Sequence, residues 1–136
     1  KMYKDELVKF DTEIISQNLL RENLIVIGGP VTNTVAYRLN SFLKVRFLQE
    51  LNWAIYSEFS KKIYEEEFSA LIILTDNPWN KSKKILWIAG RRNISTKLAL
   101  MFLDKIENED NFYYIINAKD LDGDGKLESI EVLEKS

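Results

Sequence analysis

Along the chain, Leu7, Val8, Phe10, Ile14, Ile15 and Leu19 recur at helical spacing, which predicts an amphipathic helix over residues 6–20. Leu24-Ile25-Val26-Ile27 follows as a continuous apolar run ended by Gly28-Gly29-Pro30, the pattern of a strand buried on both faces. Val35, Leu39 and Phe42 return to helical spacing with Pro30 near the first turn, so residues 31–42 are predicted as a helix. The same step recurs downstream. Ile85-Leu86-Trp87-Ile88-Ala89 is a second buried-type strand ended by Gly90. Ser95 or Thr96 can then cap a helix to about Ile106, with Leu98, Met101, Phe102 and Ile106 on one side and Leu100 and Leu103 on another. Residues 112–117, aromatic and β-branched, form a third strand.

Two strand-helix-strand steps predict an α/β fold: a mixed sheet with a parallel strand-helix-strand core, right-handed crossovers and added antiparallel strands. The additions come from mid-chain, where residues 45–48, 53–56 and 68–75 look extended and Asp76-Asn77-Pro78-Trp79-Asn80-Lys81 makes a turn. Residues 60–67 fit a helical turn or part of a hairpin. These strands are expected at the edge of the sheet, with residues 24–27 and 85–89 inside it. No low-complexity linker or internal repeat divides the chain, so residues 1–136 are expected to form a single domain.

Composition removes several chemistries. With 136 residues, 46% of them hydrophobic, the chain can bury a core without covalent staples. The absence of cysteine and histidine excludes disulfides, thiol nucleophiles, zinc sites built on nitrogen and sulfur, and histidine acid–base catalysis. A net charge of -2 and a pI near 5.3 give no electrostatic footprint for nucleic acid. No run approaches the roughly 20 apolar residues of a membrane-spanning helix, and the N-terminus lacks the basic-then-apolar order of a signal peptide. The chain begins at Lys1 with Met2 behind it, as a piece of a larger protein would.

The most specific chemistry lies near the end. Asp120-Leu121-Asp122-Gly123-Asp124-Gly125-Lys126-Leu127-Glu128-Ser129-Ile130-Glu131 matches the twelve-residue calcium loop of the EF-hand type. A hard cation needs oxygen ligands at alternating positions: Asp120, Asp122 and Asp124 supply them, Gly125 permits the sharp turn, and the carbonyl of Lys126 can coordinate. Glu128 can act directly or through water, and Glu131 closes the sphere as a bidentate carboxylate. Without a cation these carboxylates repel one another. The plain alternative is a solvated acidic turn. An EF-hand has helices on both sides of its loop, whereas residues 111–117 and 129–134 both read as strands. That context favours a structural ion over a calcium sensor that opens a helix pair.

Taken in order, Leu24 to Pro30 with Asn33, Val45-Arg46-Phe47, Asn77-Pro78-Trp79-Asn80, Ile85 to Gly90 with Thr96, the loop from Asp120 to Gly125 and Glu131-Val132-Leu133-Glu134 resemble the C-terminal domain of archaeal S-layer and S-layer-like surface proteins. The resemblance spans about residues 20–134. It implies a non-catalytic structural module of the cell envelope, extracellular, with neighbouring domains or copies of the same protein as partners and an acidic calcium-type loop near its end. At Arg91-Arg92-Asn93-Ile94-Ser95 the chain departs from the family's pattern of an acidic residue and a glycine before the threonine, so no family role carries over to that loop.

Each remaining feature also has a plainer reading. The turns at residues 28–30 and 90–92 follow parallel-type strands, where open α/β sheets bind anions, so an intracellular domain binding a phosphorylated ligand or nucleotide there is the alternative function. Neither turn completes a dinucleotide or P-loop fingerprint. No spacing singles out a carboxylate pair for acid–base work, and Glu65-Glu66-Glu67 reads as a solvated face. Trp53, Trp79 and Trp87 are the candidates for stacking a carbohydrate, but Trp87 reads as core and Trp79 alone is expected near the surface. Asn80-Lys81-Ser82 and Asn93-Ile94-Ser95 are N-glycosylation triplets, a number that eleven asparagines produce by chance. The isolated chain is expected to be monomeric or weakly associating.

Overall fold

The computed structural model describes residues 8–107, 110–120, 123 and 129–136. Its strands are β1 (Leu24–Ile27), β2 (Val45–Leu48), β3 (Ala54–Ser57), β4 (Lys62–Tyr64), β5 (Ser69–Asn77), β6 (Asn80–Gly90), β7 (Phe112–Lys119) and β8 (Ser129–Lys135). The helices are α1 (Asp11–Ser16), α2 (Thr34–Asn40) and α3 (Asn93–Phe102). Five strands form one mixed sheet in the order β1-β6-β5-β7-β8, and β2-β3-β4 form a separate antiparallel sheet.

Alternation along the central strands explains the layering. Leu71 and Ile73 of β5, Ile85, Trp87 and Ala89 of β6 and Ile115 of β7 face one side, where they meet α2 and the small sheet through Val35, Leu39, Val45, Phe47 and Ile55. Ala70, Ile72, Ile88 and Ile116 face the other side and are covered by α3 through Ala99, with Leu100 and Phe102 packed against them. The expected α/β mixed sheet is thus present, and Ile85, Trp87, Ile88 and Ala89 are fully buried.

The connectivity differs from the expected core. The ladder of β1 with β6 is parallel and those of β5–β6, β5–β7 and β7–β8 are antiparallel. The step β6–α3–β7 does join two strands of the same direction, but β5 lies between them, because the two-residue Pro78-Trp79 turn folds β5 back onto β6 first. Hairpin closure is local and wins the central place over a longer crossover. Residues 68–75 are therefore central, not at the edge, and β2 to β4 leave the main sheet altogether.

The strand expected inside the sheet, β1, is its edge. Leu24 and Val26 point into the core, while Ile25 and Ile27 on the opposite face are 70% and 48% exposed. The reason is coverage: α3 lies chiefly over β6, β5 and β7 and leaves Ile25 and Ile27 exposed. The helices are also shorter than the hydrophobic period alone predicts. α1 stops at Ser16, with Asn18 in the left-handed region (φ 58) two residues on. α2 starts only after Asn33, which caps it by accepting from the Ala36 N–H at 2.9 Å and ties it to β1 by donating to the Ile27 carbonyl. α3 starts two residues before Ser95, whose Oγ accepts from the Arg92 N–H.

Close approach fixes two junctions. A Cβ on Gly90 would lie 2.2 Å from Ser95 Oγ and 2.5 Å from Thr96 N, so α3 can meet the end of β6 only over a glycine. Asn77, fully buried, donates to the carbonyls of Leu20 and Glu22 at 2.7 and 2.8 Å and accepts from the Trp79 N–H at 2.7 Å, locking the hairpin turn to the segment before β1. Trp79, expected near the surface, is half-buried and edge-on to Phe42 at 5.5 Å.

Candidate functional site

The acidic loop joins β7 to β8, two antiparallel strands paired from Lys119↔Ser129 onward, so its flanks are strands as the sequence predicts. Of the six expected ligands, Asp122, Asp124, Lys126 and Glu128 lie outside the described residues. Asp120 directly follows β7, and its Oδ1 accepts the Gly123 N–H at 2.9 Å, which turns this carboxylate into the loop; Gly123 takes a left-handed backbone, φ 76. Glu131 sits within the β8 ladder opposite Asn117, and its Oε1 lies 3.3 Å from Lys119 Nζ. Asp120 and Glu131 carry the oxygen donors that a hard cation takes, and Glu131 would have to exchange Lys119 for it. Among the described residues no group of three potential metal-binding side chains is assembled.

The two glycine turns do come together. β1 and β6 are adjacent and parallel, and their ends open on a cleft of about 620 Å³ lined by both turns with Trp53, Lys97 and Leu100. Its cations are largely occupied. Arg91 donates to the carbonyls of Glu65, Glu66 and Asn52, and Arg92 pairs with Glu67 at 3.2 Å. Lys97 is exposed and makes no ion pair among the described residues. The Asn52 carbonyl belongs to a left-handed pair, Asn52 (φ 56) and Trp53 (φ 62), a conformation that costs a bulky residue about 1–3 kcal/mol. Arg91 thus works as a brace, holding this strained turn of the small sheet against the main one.

One cluster escaped the sequence reading. Glu134 Oε1 accepts from Ser60 Oγ at 2.6 Å and Tyr64 Oη at 2.7 Å, while Oε2 accepts from Ser57 Oγ at 2.6 Å and Tyr113 Oη at 2.7 Å. Burial of the carboxyl opposes ionisation, but these four hydroxyls outweigh it and hold its pKa down to about 2. Burial, together with the Glu134 charge they donate to, pushes Tyr64 and Tyr113 up to about 12. Phe59 stacks on Tyr113 with centroids 5.0 Å apart beside the cluster. The arrangement is a clamp joining β3 and β4 of the small sheet to β7 and β8 of the large one.

A bulge puts Glu134 there. Simple alternation along β8 would set Glu134 on the face of Ile130 and Val132. The register instead runs Ile116↔Val132 and then Ile115↔Glu134, skipping Leu133 and turning Glu134 to the opposite face. The one signal in the sequence is a hydroxyl-rich stretch, Ser57, Ser60 and Tyr64, with no indication of its partner.

A layered sheet braced by backbone-bonded arginine and a hydroxyl-caged carboxylate is what a structural domain needs. A family model described as the S-layer like family, outer domain, matches residues 2–106, which puts the chain in the class of cell-surface structural proteins. The chain belongs to the S-layer like family. The match ends before β7, so the acidic loop and β8 lie beyond it, and the clamp spans its limit: Ser57, Ser60 and Tyr64 fall inside the match, Tyr113 and Glu134 outside. No curated protein and no solved structure matches the chain. No helix among the described residues is long and apolar enough to cross a membrane.

Proposed function

We propose that residues 1–136 form a single non-catalytic module of a cell-surface layer, which packs against neighbouring domains and copies and is stabilised by calcium in the loop at 120–131. The family match supports the cell-surface module, and the loop's sequence pattern supports the ion. The ion is held by Asp120, Asp122, Asp124 and Glu131 with the carbonyl of Lys126, and Glu128 contributes directly or through water. Its place in a β-hairpin connection makes it a staple for β7 and β8, not a sensor.

The contact face is the β1 edge. Ile25 and Ile27 are exposed there on a strand without charge, with exposed Val31 in the turn after it, whereas the opposite edge, β8, carries Glu131, Glu134, Lys135 and a bulge, devices that discourage strand pairing. The occupant is a second copy of this chain or an adjoining domain of the same layer, as the family assignment implies. The decisive measurement is concentration-dependent light scattering: the chain should be monomeric when dilute and associate weakly when concentrated. Ile25→Asp with Ile27→Asp should abolish association at unchanged melting temperature. A tight discrete dimer, indifferent to chelator and to these substitutions, would refute the layer-module reading.

A further inference from the structure

Both Asn-x-Ser triplets stand outside the function just proposed, and the structure treats them in opposite ways. Asn80 is half-buried at the start of β6. Its Nδ2 donates to the Arg21 carbonyl at 3.0 Å, and its Oδ1 accepts from Ser82 N and Oγ at 3.2 and 2.9 Å. The amide is a tie between the hairpin and the segment before β1, and a sugar on Nδ2 would have to stand where Arg21 is. Asn93, the first residue of α3, is exposed, and its side chain makes no hydrogen bond among the described residues.

We propose that Asn93 is an N-glycan acceptor and that Asn80 is a structural residue, the donor being a lipid-linked oligosaccharide. Residence at the cell surface brings the chain past an extracytoplasmic transferase. In the transfer, Asn93 Nδ2 forms a bond to the anomeric carbon of the sugar as the bond from that carbon to the lipid phosphate oxygen breaks. The amide gives up one proton, the lipid phosphate leaves with the bonding electron pair, and nothing is oxidised or reduced.

The structure also sets the order of events. A transferase must read the Ser95 hydroxyl, yet Ser95 is 1% exposed, its Oγ fixed between the N–H and the carbonyl of Arg92 at 3.1 and 2.8 Å. Transfer therefore precedes docking of α3 on β6, and the folded chain is not a substrate. After folding the glycan projects from the first turn of α3 across the mouth of the cleft that Asn93 lines.

The test directs the full chain through the secretory pathway of a glycosylating host and maps glycopeptides by mass spectrometry. The parent chain and Ser95→Thr should carry the glycan on the Asn93 peptide. Asn93→Gln should lose it with no change in melting temperature. Asn80→Gln should keep it while melting lower. In a second arm, unglycosylated chain meets transferase and lipid-linked donor in detergent, and the urea-unfolded form should accept sugar while the folded form does not. A bare Asn93 peptide in the parent chain, or a glycan mainly on Asn80, would overturn the assignment; equal transfer to the folded chain would overturn the order. Light scattering of Asn93→Gln reads the layer contacts separately, so the two proposals can fail independently.

Discussion

Glu134→Gln removes the charge at the centre of the clamp and keeps its shape. Hydrogen bonds to an ionised group are worth about 1.5–3 kcal/mol and neutral ones about half as much. Four short bonds converge on this carboxylate, but they share one acceptor group and a partly exposed setting, so their losses do not add. The expected cost is about 2–4 kcal/mol, or about 6–12 °C in melting temperature for a domain of this size. The pH dependence gives an independent check. The folded pKa, about 2, lies below the ordinary 4.5, so this stabilisation is present above pH 4.5 and disappears as pH falls toward 2. The difference between parent and variant should therefore shrink over that window. Tyr64 and Tyr113 are raised from 10.0 to about 12, so their contribution is complete below pH 10 and is lost as pH rises toward 12. Thermal unfolding followed by circular dichroism from pH 2 to about 12 measures the cost of the substitution and both pH windows. A variant melting within about 2 °C of the parent, with a parallel acid profile, would show that the hydroxyl cage contributes no net stability.

Other substitutions probe separate contacts. Gly90→Ala should cost about 3 kcal/mol or more in urea unfolding, since the added methyl meets backbone of α3 that cannot rotate away. Asn77→Ala should cost about 2–4 kcal/mol by leaving the Leu20 and Glu22 carbonyls without their buried donor; a cost under about 1 kcal/mol would show that water replaces it. Calcium in excess should raise the melting temperature, by about 2.7 kcal/mol of stability at a hundredfold excess over the dissociation constant. Asp120→Ala with Asp122→Ala should remove that response, and calorimetry of metal-stripped protein that detected no binding at millimolar calcium would reduce the loop to an acidic turn.

The elements were legible where burial and period agree. Ile85 to Ala89 reads as a strand buried on both faces because it is one, flanked by β1 and β5 and covered on both sides. The same pattern misleads at Leu24 to Ile27, because apolar content shows that a strand can be covered, not that a helix reaches it. The place of β5 was hidden for a different reason: strand order depends on competition between a two-residue turn and a longer crossover, which no local window contains. Glu134 was illegible because a single skipped residue, Leu133, exchanges the faces of β8. The strained pair Asn52 and Trp53 has only the asparagine as a sequence signal, and its partner Arg91 comes from a distant segment.

The bulge at Leu133 also bears on mechanical load. β1 and β8 are the opposite edges of the main sheet and run in opposite directions, so the start of β1 and the end of β8 lie at the same end of it. Tension applied along the chain at those two points pulls across the strands and peels the edge ladders one bond at a time, a weaker mode than shear along them. The first bonds to open at the β8 edge would be those next to Lys135. Glu134 sits at that point and fastens the strand end to a second sheet, so rupture there must break four charge-assisted bonds together before peeling can start.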